Sequence, residues 1–217
     1  MRDQLASMME GMKRSLNTAA DLLALNLLLI LGCVPVVTAG AAWTAGYGYV
    51  LRLVRREETG LPFQPWWEAF RANFRRATAA WLLLLACLLI VAGDYYYAVA
   101  IAEPVNRFFL VFSLVMAVLL LLAATWLFPL LARFDNSVRG HIKNAVLMTA
   151  GMFPQTLLAL AIQIGVWLLP LFVPALFYYL GWLWVMFGFS YPMYLTAKLF
   201  RKPLDSEPRD VDVTGQD

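Results

Sequence analysis

Apolar residues run in long stretches along this chain, and polar ones collect between them. Windows of about 20 apolar residues, the length that crosses a hydrocarbon core, predict helices over residues 22–37, 41–54, 77–100, 107–132, 145–169 and 174–199. The expected fold is therefore an all-α membrane protein, a six-helix transmembrane bundle with a short first hairpin. The first two runs are shorter than the rest, so a single broken or re-entrant segment over 22–54 is the alternative. Around their junction the chain reads GCVPVVTAGAAWTAGYGYV from residue 32 to 50. Pro35 and Gly40 bracket a turn, Thr38 is placed to bond backbone groups that the turn frees, and Ala39, Ala41, Ala42, Ala45, Gly46 and Gly48 permit close helix approach. A Pro/Gly-interrupted pair of short segments also marks binding sites in transporters. That reading wants a matching interruption in the other half, for which Pro170 and Pro174 are a loose match.

Two stretches carry a helical period with one polar face. In residues 1–17, Leu5, Met8, Met9, Met12 and Leu16 recur at helical spacing with Arg2, Lys13 and Arg14 elsewhere, an amphipathic cytoplasmic segment lying in the interface. From Pro65, residues Trp66, Trp67, Phe70 and Phe74 share one side and Arg71, Arg75 and Arg76 the other, which predicts an interfacial helix over 65–76. Docking on the membrane surface is one reading of that helix. Gripping a cytosolic partner or an anionic ligand is the other, because the arginines between 52 and 76 outnumber what orientation requires.

Composition strengthens the membrane assignment. Of 217 residues, 62% are hydrophobic and 14% charged, with a mean hydropathy of +0.68, and a soluble bundle would keep a polar face on every helix. Charge then orients the chain. Of 17 Lys and Arg, all but Arg107 fall before the first span, in 52–76, in 133–143 or from the end of the last span at Lys198 onward. Basic clusters stay cytoplasmic, so an even number of crossings separates them, residues 22–54 go out and return, and both termini are cytoplasmic. A cleavable leader ending near Val37-Thr38-Ala39 is disfavoured by the long n-region with Asp3, Glu10 and Asp21 and by the apolar residues that follow.

Candidate chemistry is sparse. Cys33 and Cys87 sit in apolar runs and read as packing residues, with no disulfide framework, metal site or cofactor implied. Asn26, Thr44, Thr125, Thr149, Gln155, Thr156, Gln163, Ser190 and Thr196 read as interhelical hydrogen-bond partners. A candidate intramembrane polar site is Asn26, Thr38, Gln155 and Gln163. No ionisable residue lies at mid-span, whereas ion-coupled carriers commonly need one; Asp94, ahead of Tyr95-Tyr96-Tyr97, belongs at the outer end. His141 is the only histidine and lies in a basic loop, with no nucleophile and base paired for catalysis. A net charge of +3 is what a topology signal leaves, which argues against nucleic acid.

The loop FPLLARFDNSVRGHIKNAV, residues 128–146, joins the fourth and fifth spans and adds Arg133, Asp135 and Lys143 to the candidate partner or lipid surface, with Arg133 and Asp135 able to bond locally. Asn26 followed by PVVTAGAA (35–42), FRANFRRAT (70–78) and FPLLARF (128–134) with Lys143-Asn144-Ala145 resembles the YesL-like family of bacterial integral membrane proteins of unknown function, over about residues 15–200. The resemblance implies a transmembrane domain over 18–202 in a bacterial cell membrane and an accessory role in carbohydrate uptake, with a sugar permease or sensor as partner besides the lipid bilayer. A non-enzymatic accessory, scaffold or regulatory protein is the reading reached. A small carrier or channel acting as a homo-oligomer is the alternative, and a membrane enzyme would need a catalytic residue that the chain does not display. Residues 203–217, with Asp205, Glu207, Asp210, Asp212 and Asp217, read as a disordered cytoplasmic tail.

Overall fold

The computed structural model describes residues 2–57, 60–101 and 106–206. Among these the chain forms eight α-helices and no strand: α1 (Arg2–Cys33), α2 (Ala39–Arg55), α3 (Phe63–Tyr96), α4 (Arg107–Arg133), α5 (Val138–Gly151), α6 (Phe153–Phe172), α7 (Pro174–Phe187) and α8 (Ser190–Ser206). A 3₁₀ turn, Val36–Thr38, joins α1 to α2, and α3 continues into a π-helical turn, Tyr97–Ile101. Among the described residues, four segments are long and apolar enough to cross a membrane: Ser7–Cys33, Phe63–Ile101, Arg107–Arg133 and Phe153–Pro170. Helices α2 and α7, with 17 and 14 residues, are shorter.

Helix α2 is the axis of the bundle because its small residues let four neighbours approach. Gly32 of α1 lies against Ala42, and Leu29 lies against Gly46, so α1 and α2 form an antiparallel hairpin. Gly40 marks the crossing with α3, where a Cβ would collide with the Trp81 side chain and approach the Ala77 carbonyl to 2.7 Å. Met193 of α8 sits against Gly46, and Arg201 Nη1 reaches the Val54 carbonyl at 3.5 Å, so α8 runs alongside α2 in the same direction. Trp43 of α2 packs on Phe128 of α4 with ring centroids 6.4 Å apart. The turn itself is stapled by the Thr38 hydroxyl, within donating distance of the carbonyls of Gly32 (2.7 Å) and Pro35 (2.9 Å).

Several expected boundaries move. Of the amphipathic stretches 1–17 and 65–76, residues 2–17 and 65–76 lie in the opening turns of α1 and α3 instead of forming separate interfacial helices, because no residue that stops a helix lies between them and the apolar runs, and Met1 lies outside the described residues. At about 1.5 Å per residue, α3 is about 50 Å long against a core of about 30 Å. Met8, Met9, Met12 and Leu16 are exposed, while the side chains of Arg2 and Leu5 lie outside the described residues.

The expected spans 145–169 and 174–199 are each interrupted, after Gly151 and after Phe187. Pro154 lacks the N–H that would reach the Ala150 carbonyl, and Pro192 lacks the one that would reach Gly188, so each ladder loses a rung. Pro170 stays inside α6, and Pro174 opens α7 beyond Val173. The expected tail also shortens: Pro203–Ser206 continue α8, and 207–217, with Glu207, Arg209, Asp210, Asp212 and Asp217, lie outside the described residues.

Candidate functional site

The end of the bundle opposite the α1–α2 turn collects arginines from three helix termini around one carboxylate. Arg55, in the last turn of α2, places Nη2 2.6 Å and Nε 2.9 Å from Asp205 Oδ1. Arg133, closing α4, stands 3.6 Å from the same oxygen, and Arg201, one turn earlier on α8, is 3.8 Å from Oδ2. Arg55 and Arg133 are largely buried, which screens these charges less than a surface pair would be. Asp205 was expected in a disordered tail. Its acidic character gave no clue to this role, since the three arginines come from positions 4, 72 and 150 residues away.

Beside this clasp lies a polar groove made of two adjoining cavities of about 560 and 660 Å³ that share Ala72, Asn73, Ala132 and Arg133. Arg52, Arg55, Arg71, Arg75, Arg76 and Arg133 line it, against Glu57, Glu68 and Asp135, so the arginines outnumber the carboxylates. Arg76 pairs with Asp135, both well exposed, while Arg133 turns to Asp205. Lys143 is exposed on α5 and outside the groove lining. The groove therefore offers guanidinium groups on α3 to an anionic surface or ligand.

The aromatic side of the same helix divides. Trp66, 5% exposed, is a core residue: its indole N–H donates to the Ala42 carbonyl at 3.3 Å, and its ring packs beside Gly32. Phe70 stacks between Trp66 and Trp67, with centroids at 5.1 and 5.5 Å. Trp67 and Phe74 face outward. Thus the expected lipid or partner face loses Trp66 to the interior, because the small residues of α1 and α2 leave room for one large ring.

The four candidate polar residues of the interior serve separate places. Asn26 on α1 is fully buried and enters the interruption between α7 and α8. Its Oδ1 accepts from Phe189 N and Ser190 N, each at 2.9 Å, and its Nδ2 donates to the Val185 carbonyl at 2.7 Å. Phe189 N and Val185 O would bond each other in an unbroken helix, so the carboxamide is inserted into the ladder and satisfies both sides of the cut. Thr38 holds the α1–α2 turn. Gln163 Nε2 reaches the Tyr47 hydroxyl at 3.4 Å, and Thr196 also bonds Tyr47. Gln155 is half-buried on α6. The bonds of Asn26, Thr38 and Gln163 thus run to three different places.

His141, expected in a loop, is buried in α5, and its Nε2 meets no hydrogen-bond partner among the described residues. Burial, and secondarily the Arg76 charge, push its pKa down to about 4, so the ring is neutral at pH 7. The π-helical turn at Tyr97–Ile101 and the Asp205 clasp had no counterpart in the sequence reading. For the interruptions the available signal was Pro154 and Pro192.

A family model described as "Protein of unknown function, DUF624" matches residues 22–95, from Leu22 of α1 to Tyr95 of α3. The match takes in the hairpin, its turn and the arginine-bearing part of α3, and leaves α4 to α8 unmatched. No curated protein and no solved structure matches the chain.

Proposed function

We propose that this protein crosses a bacterial cell membrane six times with both termini in the cytoplasm, and that it acts there as a non-enzymatic accessory to another membrane protein. The arginine-lined groove between α2, α3 and α4 carries this reading. It lies at the end of the bundle where the basic residues gather, which the positive-inside rule assigns to the cytoplasm. An acidic cytoplasmic surface of a partner would meet Arg71 and Arg75, which are exposed and stand on a helix anchored by Trp66. The resemblance to YesL-like proteins supports a sugar permease or sensor as that partner and an accessory role in carbohydrate uptake.

Purification from native bacterial membranes in mild detergent, followed by mass spectrometry, tests the proposal. The wild-type chain should bring down a sugar permease or sensor at fixed stoichiometry, and Arg71→Glu with Arg75→Glu should lose it while remaining monodisperse. Equal recovery with the double variant would remove the groove from the argument, and a homo-oligomer without a second protein would overturn the accessory role.

The interrupted helices favour a second reading, a small carrier or channel. Helices α5 and α8, at 14 and 17 residues, set the interruptions about 21 and 25 Å from their basic ends, and discontinuous helices at similar depth are a feature of transporter sites. Solute uptake into liposomes holding only this protein would establish that reading.

A further inference from the structure

A third cavity, of about 760 Å³, opens between α1, α6, α7 and α8, away from the arginine groove. Its deep wall is apolar: Leu22 of α1, Val166 of α6, and Leu183 and Phe187 of α7. The indole N–H of Trp184 is spent on the Val166 carbonyl at 2.8 Å, so that wall presents no unsatisfied donor from the ring. Toward the basic end the lining changes character. Arg14 of α1 and Lys198 of α8 are both exposed there, the Lys198 ammonium stands 4.2 Å above the Tyr194 ring, and no carboxylate lines the cavity.

The dimensions match one half of a bilayer. Eight helical residues separate Arg14 from Leu22, about 12 Å along α1, and a single leaflet contributes about 15 Å of hydrocarbon. With the cations at headgroup depth, the apolar walls run inward through the acyl region of the same leaflet, reaching Leu22 on α1 and, about 22 Å along α8 and α7 from Lys198, the bilayer's middle at Leu183. A water-soluble anion would gain nothing from those walls, and an apolar segment of protein would gain nothing from the two cations. An amphiphile with an anionic head uses both.

We propose that this cavity binds an anionic phospholipid of the leaflet at the basic end, its phosphate between Arg14 and Lys198 and one acyl chain along Leu22, Leu183 and Phe187. The occupant is distinct from anything held by the arginine groove, and the proposal does not depend on the accessory role.

Native mass spectrometry and thermal melts of the detergent-purified protein, titrated with phosphatidylglycerol or with phosphatidylcholine of the same chain length, provide the test. Two cations near a headgroup should give a preference for phosphatidylglycerol of about thirtyfold. Arg14→Gln with Lys198→Gln should abolish that preference. Leu195 also lines the cavity, and Leu195→Trp, which narrows it and keeps both cations, should weaken saturable binding of either lipid. Arg139→Gln, which removes an exposed cation of α5 that lines none of the three cavities, should leave the preference intact. Equal binding of the two lipids by the wild type, or a preference that survives both cavity variants, would overturn the proposal. Competition by glycerol phosphate as effective as the intact lipid would also overturn it, by assigning the cations to a soluble phosphate.

Discussion

The two interrupted segments, α5–α6 and α7–α8, face the same physical problem and close it differently. In the first, one residue, Met152, ends one helix and begins the next. Its N–H reaches the Met148 carbonyl at 2.8 Å, its own carbonyl accepts from Thr156 N at 2.9 Å, and Pro154 stands where a helix start tolerates proline. In the second, Pro192 lies three residues beyond Phe189, and the cut is held by Asn26, 159 to 164 residues away. One interruption is closed by its neighbours in sequence and the other by a side chain from the opposite end of the chain. In a medium without water both must be closed, but only the second couples the first helix to the last two.

The largest effect that separates them is expected from Asn26→Leu. It leaves Val185 O, Phe189 N and Ser190 N without their partner in the interior, a loss of at least about 3 kcal/mol. Unfolding in mixed micelles should show it, and an unchanged midpoint would mean that the α7–α8 ladder heals by itself.

Acid should give the next largest effect, and it reads the α5 side. The folded chain holds His141 at a pKa of about 4, against 6.5 for a free histidine. Stability from the neutral ring is complete above about pH 6.5 and falls as the pH drops toward 4, because the unfolded chain takes the proton first. His141→Gln should flatten that part of a melting-temperature profile, whereas an identical profile would place the acid sensitivity elsewhere.

A smaller loss, about 1 kcal/mol, should follow Thr156→Val, since the Trp126 indole donates to the Thr156 hydroxyl at 2.7 Å beside the first interruption. Unfolding midpoints would measure it, and a loss as large as that of Asn26→Leu would erase the contrast between the two cuts. The smallest change belongs to Pro154→Ala, within about 1 kcal/mol. It restores an N–H for the Ala150 carbonyl, and the new amide at position 154 should exchange slowly. Fast exchange there would show that packing, and not proline, makes the cut.

The contrast also shows which features the sequence makes legible. Long apolar runs pointed to an all-helical chain with segments long and apolar enough to cross a membrane, and Pro35, Thr38 and Gly40 pointed to the hairpin turn, because both signals are local. The joining of 1–17 and 65–76 to the helices that follow was missed. Amphipathic and apolar helices share the same backbone, and only a stop signal would part them. Pro154 and Pro192 were inside runs apolar enough to hide them. Arg71, Arg75, Arg76 and Arg133 line one groove, which brings Arg133 of α4 beside the arginines of α3, a juxtaposition the separate clusters did not reveal. Trp66 turned inward because Gly32 and Ala42 left a space for it, and the clasp on Asp205 was invisible because its arginines are distributed over α2, α4 and α8.

Asn26 also sets an order of assembly. Chain growth at about 5–20 residues per second delivers Phe189 and Ser190 on the order of ten to thirty seconds after Asn26 has been made. During that interval α1 is packed in its hairpin with α2 but carries an amide that finds no partner there. The bonds that tie the first helix to the last two form only when those two emerge, so this part of the bundle closes at the end of synthesis.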